Sequence, residues 1–180
     1  MEQTRVDKLE ARVRELKKTV QRLRDLEEIR GVRFHYHSTL NSGKFANCFD
    51  RCAEDVICQW GIEIPAQYGR KTVQETSARV MASGIAPSIR QFIHAHLIDL
   101  KGDTASATSY MEACPIQFGK SVTVASRWDD KYAKIDGQWW LKHQVLDFAY
   151  QVRLDEGWAQ EDRVINPFET LDIKSNKPKN

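Results

Sequence analysis

The chain has 180 residues, 41% hydrophobic and 29% charged, an ordinary globular composition sized for one domain with its own core. A formal net charge of +2 gives no electrostatic case for a nucleic-acid partner. No run of about 18 apolar residues offers a membrane span.

Residues 1–25, MEQTRVDKLEARVRELKKTVQRLRD, place Val6, Leu9, Val13, Leu16, Val20 and Leu23 at alternating steps of three and four. These are the a and d positions of a heptad, so the segment reads as a helix that pairs with a copy of itself or lies on its own domain. Its charged start is unlike the apolar core of a secretory signal. The apolar phase then shifts. Leu26, Ile29, Val32, Tyr36 and Leu40 share one face of a second helix or a continuation, and Asn41-Ser42-Gly43 stops it. A short helix is predicted at 44–52, with Phe45, Cys48 and Phe49 inward. VICQW (56–60) reads as an apolar strand, Pro65 and Gly69 as a loop, and KTVQETSARVMAS (71–83) as a further helix.

The remainder reads as sheet. Strands are predicted at 88–100, 104–113, 121–135 and 138–152, with a turn at KGD (101–103) and the hairpin dipeptide Asp136-Gly137. Helices followed by long antiparallel strands indicate an α+β fold. The expected architecture is a curved, mostly antiparallel sheet wrapped by the N-terminal helices into a cone with an internal pocket. The expected organisation is a heptad-patterned helix (1–25), the α+β cone domain (26–155) and a polar tail (156–180). Cys48, Cys52, Cys58 and Cys114 match no zinc spacing and read as reduced thiols acting as small hydrophobes in a cytoplasmic protein.

Three stretches, LEEIRGVRFHYHSTLNSGKFANCFD, LIDLKGDTASATSY and DDKYAKIDGQWWL, resemble in order and spacing the SnoaL-like group of the nuclear transport factor 2-like superfamily over about residues 26–150. The pattern is most similar to the bile acid dehydratases, which also carry a heptad-like N-terminal helix, and more distantly to scytalone dehydratase. The resemblance implies a cone, often trimeric, with a pocket of acid/base residues and cofactor-free elimination or isomerisation. It also implies a tyrosine on the first helix, an aspartate five residues on, and a histidine opening the next long strand. Those positions read Tyr36, Asn41 and Arg90 here. Asn41 cannot orient an imidazolium by charge, and Arg90 stays protonated and cannot be a base.

Strand alternation offers a replacement. Without a bulge, Arg90, Phe92, His94 and His96 share one face. His94 is then a candidate general base, or else a packed strand histidine. Arg90 could stabilise an oxyanion, Tyr36 could protonate a leaving oxygen, and Asn41 could orient a hydroxyl or carbonyl. His96, His35 and His37 are weaker candidates. Trp60, Phe92, Tyr110, Trp128 and Phe148, with Ser126, suit a pocket for a flat aromatic molecule, or ordinary core packing. Ser126 and Trp128 fall where scytalone dehydratase places polar pocket groups. His143 and Asp147 are supporting or exposed residues.

HYH and HAH lack the further ligands of a cupin, and no HExxH, phosphate loop, dinucleotide fingerprint or GxSxG is present. No metal or other cofactor is expected. The expected function is a cofactor-independent lyase, removing water or a small carbonyl fragment such as formaldehyde from a hydroxylated aromatic or polycyclic molecule. Alternatives are an isomerase or cyclase on a polyketide-like substrate, and a non-catalytic small-molecule binder. The expected assembly is a homo-oligomer, a trimer ahead of a dimer, with neither nucleic acid nor membrane as partner. On this reading turnover survives dialysis against a chelator; activity that disappears with a stoichiometric zinc or iron would overturn it.

Overall fold

A computed structural model describes residues 2–61, 65–83, 88–157, 174, 176 and 177. Of the two readings, a second helix or a continuation, the continuation holds: both stripes lie on one helix, α1 (Glu2–Asn41). No proline interrupts it, and the single Gly31 is tolerated in a helix of strong formers. It ends at Gly43, whose φ of +74° suits a residue without Cβ, and Lys44 N donates back to Thr39 O at 3.0 Å. A 3-10 turn (Phe45–Asn47) follows, in place of a longer helix. β1 (Cys52–Trp60) starts four residues before the VICQW stretch. Then come β2 (Gln67–Tyr68), α2 (Arg70–Ala82), β3 (Gln91–Lys101), β4 (Thr104–Ala113), β5 (Ile116–Gln117), β6 (Lys120–Ile135) and β7 (Gln138–Arg153).

The sheet order is β2-β1-β7-β6-β4-β3, with β5 on β6. β1 runs parallel to β7, and the other pairs are antiparallel. The α+β class and the mostly antiparallel sheet hold. The cone does not. β2 and β3 are unjoined edges, so the sheet is open, neither closed nor strongly curled. Closure needs edge strands that exchange a ladder. Here β2 has two residues and leads straight into α2, which packs on β1. The internal pocket expected of a cone is replaced by a cleft on the helix-covered face. Most of the predicted tail, 156–180, lies outside the described residues.

Both helices lie on one face, α1 against β3 and β7 and α2 against β1. β4 and β6 supply the inner alternation, with Ala105, Ala107, Met111, Val124, Trp128 and Tyr132 buried. From Asp25 onward α1 buries Ile29, Val32, Tyr36 and Leu40 beside a polar row at four-residue steps, Arg33, His37 and Asn41. That row ties the helix to the sheet. Asp25 accepts from Lys134 Nζ at 2.7 Å and Trp139 Nε1 at 2.9 Å. Glu28 accepts from the Trp139 amide at 3.0 Å. Arg33 forks onto Asp130, with Nε to Oδ2 at 2.9 Å and Nη2 to Oδ1, while the Tyr132 hydroxyl donates to the same carboxylate at 2.8 Å. The guanidinium also lies over Trp128, 4.9 Å from its ring centre. Among the described residues no helix is long and apolar enough to cross a membrane.

Both charges of the Arg33–Asp130 pair are buried. Removing one strands the other in a low-dielectric layer, so Arg33→Met should cost about 3–5 kcal/mol in urea unfolding. Arg33→Met combined with Asp130→Leu should lose less than Arg33→Met alone. Equal stability of wild type and the Arg33→Met variant would show that the pair carries no such role.

Candidate active site

The helix-covered face holds a cleft of about 100 Å³. α1 gives Tyr36 and Leu40, α2 gives Val80 and Met81, β1 gives Trp60, and the remaining strands give Gln91, Met111, Gln117, Trp128, Phe148 and Gln151. Among the described lining residues none is Asp, Glu, Lys, Arg or His. The rings pack edge to face, Tyr36 to Trp128 at 5.8 Å and Tyr36 to Phe49 at 5.4 Å between centres. The Trp128 indole N–H is spent on Met111 Sδ at 3.3 Å. Gly61 sets the wall: its φ is +73°, and a Cβ there would lie 3.0 Å from the Phe148 ring. Alanine at this position would drive Phe148 from its place. Burial pushes the Tyr36 phenol well up, so it stays protonated and can act only as donor or neutral acceptor.

Behind Tyr36 a three-residue clasp joins the end of α1 to the start of β3. Asn41 Nδ2 donates to Gln91 O at 2.8 Å, and Gln91 N donates to Asn41 Oδ1 at 2.8 Å. Gln91 Oε1 accepts from His37 Nδ1 at 2.7 Å. A carbonyl oxygen can only accept, so the His37 proton resides on Nδ1 and Nε2 keeps its lone pair. That Nε2 is buried with no partner, and the ring centre sits 4.9 Å from that of Tyr36. Burial, then the Arg33 charge, push His37 down to about 3, against the Gln91 bond that raises it. Burial and Arg33 likewise push His96 down to about 4. Both imidazoles are neutral at neutral pH.

Tyr36, Trp60, Trp128 and Phe148 therefore meet at one cleft. Asn41 stands beside it with its amide committed to the main chain of Gln91. Arg90, Phe92, His94 and Tyr110 do not join them. β3 carries a bulge at Ala95, with φ of 43°, and its register on β4 shifts between His94 and His96. The alternation inverts there. Gln91, Ile93 and His96 face the helices, whereas Phe92 and His94 face away, opposite Glu112 and Tyr110. His94 Nε2 lies 3.5 Å from Glu112 in an exposed pair. Arg90 is exposed and donates to Ile89 O at 2.9 Å. Ser126 is buried with its hydroxyl unpartnered, bordering the depression that His94 and Tyr110 line. His35 bonds Asn47 O at 3.0 Å. His143 and Asp147 sit on the outward face, Asp147 3.2 Å from Arg127. Among the described residues no three His, Cys, Asp or Glu side chains converge as a metal set would.

Sequence reasoning missed Gln91, Gln117 and Gln151, and placed Arg90 where Gln91 stands. The four-residue spacing of Arg33, His37 and Asn41 beside the apolar stripe was the available signal.

Residues 21–145 match the SnoaL-like domain family. The chain belongs to that family. Solved structures share this fold at low identity. A type 2 hexachlorocyclohexane dehydrochlorinase (LinA) is 11% identical with a TM-score of 0.71, over 83% of this chain and 98% of that one. The LinA-type3 enzyme of Novosphingobium barchaimii LL02 is 11% identical with a TM-score of 0.70, over 83% and 99%. A candidate scytalone dehydratase of Novosphingobium aromaticivorans DSM 12444 is 16% identical with a TM-score of 0.67, over 82% and 97%. No curated protein matches the sequence. The likeness is to the SnoaL-like family as a whole; of the three bile acid dehydratase site positions, Tyr36 alone keeps the expected residue.

The depressed His37 has a stability consequence. Above about pH 6.5 His37 is neutral both folded and unfolded and contributes no pH dependence. As pH falls below that, the unfolded chain takes the proton and the folded one does not, so stability drains away down to pH about 3. At pH 5 the loss from His37 is about 2 kcal/mol. His37→Gln should remove that share of the difference in urea unfolding between pH 7 and pH 5. An undiminished difference would place the titration elsewhere.

Proposed function

We propose that this SnoaL-like protein is a cofactor-independent lyase acting on a neutral, hydroxylated aromatic molecule bound at the Tyr36 cleft. The observation that carries the reading is a ring-lined cleft without charge, walled by a protonated tyrosine whose ring packs on a buried neutral histidine. Size narrows the ligand. At about 100 Å³ the cleft is smaller than the apolar cavity of about 150 Å³ that accepts a benzene, so it holds no more than one ring, and a polycyclic molecule would enter by one end. Tyr36 serves as the donor to the leaving oxygen. His37, with its tautomer set by Gln91, is the neutral imidazole behind Tyr36, 4.9 Å away between ring centres, and takes the proton by way of the phenol. Asn41 positions Gln91 by clasping its main chain. Elimination of water, or of a small carbonyl fragment, needs this proton traffic and no redox group. The solved relatives named as dehydrochlorinases and as a candidate dehydratase favour elimination over the isomerase or cyclase alternative.

A non-catalytic binder is the second reading, favoured by the low proton affinity of His37. The two separate on a panel of hydroxylated aromatics assayed for released aldehyde or for a new conjugated absorbance. Tyr36→Phe and His37→Gln should each lower turnover roughly 10²–10⁴-fold while ligand binding changes little. His94→Ala and Arg90→Lys, outside the cleft, should keep full turnover. Binding of the panel with no turnover would establish the binder. Loss of turnover in His94→Ala alone would move the chemistry to the outward face.

A further inference from the structure

The apolar stripe on the N-terminal part of α1 carries nothing of its own domain among the described residues; off the stripe, Arg22 Nη1 donates to Leu100 O at 3.4 Å. Residues 4–24 are all exposed, and the six stripe residues Val6 to Leu23 are between 44% and 59% exposed. At about 100° per residue, the stripe points roughly 180° away from the direction of Ile29, Val32, Tyr36 and Leu40. A continuous helix therefore cannot turn the stripe onto the sheet that its later half covers. The stripe faces outward from the domain by construction.

We propose that this segment pairs with the same segment of a second copy as a parallel, two-stranded coiled coil. The heptad itself selects the occupant. Every a position is the β-branched Val6, Val13 or Val20, and every d position is Leu9, Leu16 or Leu23, the combination that favours two strands in parallel. A two-fold axis then sets a against a and d against d, so the stripe is its own complement. At the flanks Arg5 (g) meets the second copy's Glu10 (e), an attractive pair. Arg12 would face the second copy's Lys17, but it is drawn to Glu15 of its own helix at 3.2 Å. The seam has only two and a half heptads, too few for an isolated peptide. Here the helix is already nucleated by its anchored half, from Asp25 to Asn41, so pairing needs no new helix. The trimer implied by family resemblance would have to use other surfaces, because this stripe specifies two strands.

Two measurements on the full chain test the proposal. In a Cys114→Ser background, which removes the exposed native thiol, Leu9→Cys puts one thiol at a d position. Mild oxidation should convert it to a covalent pair of twice the 20.8 kDa chain mass. Only parallel pairing brings the two thiols together, because antiparallel pairing sets Leu9 opposite Val20. Cross-linking that requires Leu9→Cys and Val20→Cys together would overturn the parallel arrangement. Separately, Leu16→Glu should halve the mass by light scattering and leave the domain's unfolding midpoint unchanged, since Leu16 makes no core contact. A mass unmoved by Leu16→Glu would overturn the pairing itself.

Discussion

The Arg33–Asp130 pair is the constraint on which the site depends. It fixes the C-terminal half of α1 against β6 in a layer without solvent, at a helix position one helical turn from both Tyr36 and His37. A guanidinium fork on a carboxylate leaves little rotational freedom, so the helix cannot roll. Tyr132 takes up the remaining demand of the carboxylate. Asp25 and Glu28 hold the helix upstream on the β6–β7 hairpin, and Asn41 holds it downstream on β3. Tyr36 lies between these fixings, on the apolar edge of the same helix, and is presented to the cleft by them.

The same pair governs the electrostatics. Its positive end lies among rings and close enough to buried His37 and half-buried His96 to oppose their protonation, adding to the effect of burial. Charge is thereby confined to one compensated layer, and the cleft above is lined by neutral groups. A neutral aromatic ring enters such a space without losing strong hydration, whereas an anionic ligand would find no cation in the lining to replace its water.

Much of the fold was legible in the sequence, because period and punctuation carried it. The 3.6-residue stripe gave the helices, Asp136-Gly137 gave the β6–β7 hairpin, and the order of elements gave the α+β class. Closure was not legible. It depended on whether two distant edges pair, and β2 proved to be two residues long. The lining of the cleft was legible in part. Tyr36, Trp60, Trp128 and Phe148, singled out by ring content and resemblance, lie on it, since apolar burial follows composition. His94 was assigned to the wrong face by a parity rule that holds only for an unbulged strand. Ala95 breaks it with a left-handed φ that an alanine side chain gives no hint of. Gln91 was missed by one residue because a helix-to-strand clasp fixes register more finely than a strand boundary can be read.

Burial, reinforced by the Arg33 charge, keeps His37 neutral, with its proton on Nδ1, behind a ring-lined cleft. Imidazole nitrogen NMR of the full chain reads this directly, with His37→Gln used for assignment. The expected result is a His37 spectrum of the Nδ1–H tautomer, unchanged between pH 8 and pH 5. A His37 resonance that titrates near pH 6.5, or one that shows the Nε2–H tautomer, would contradict it.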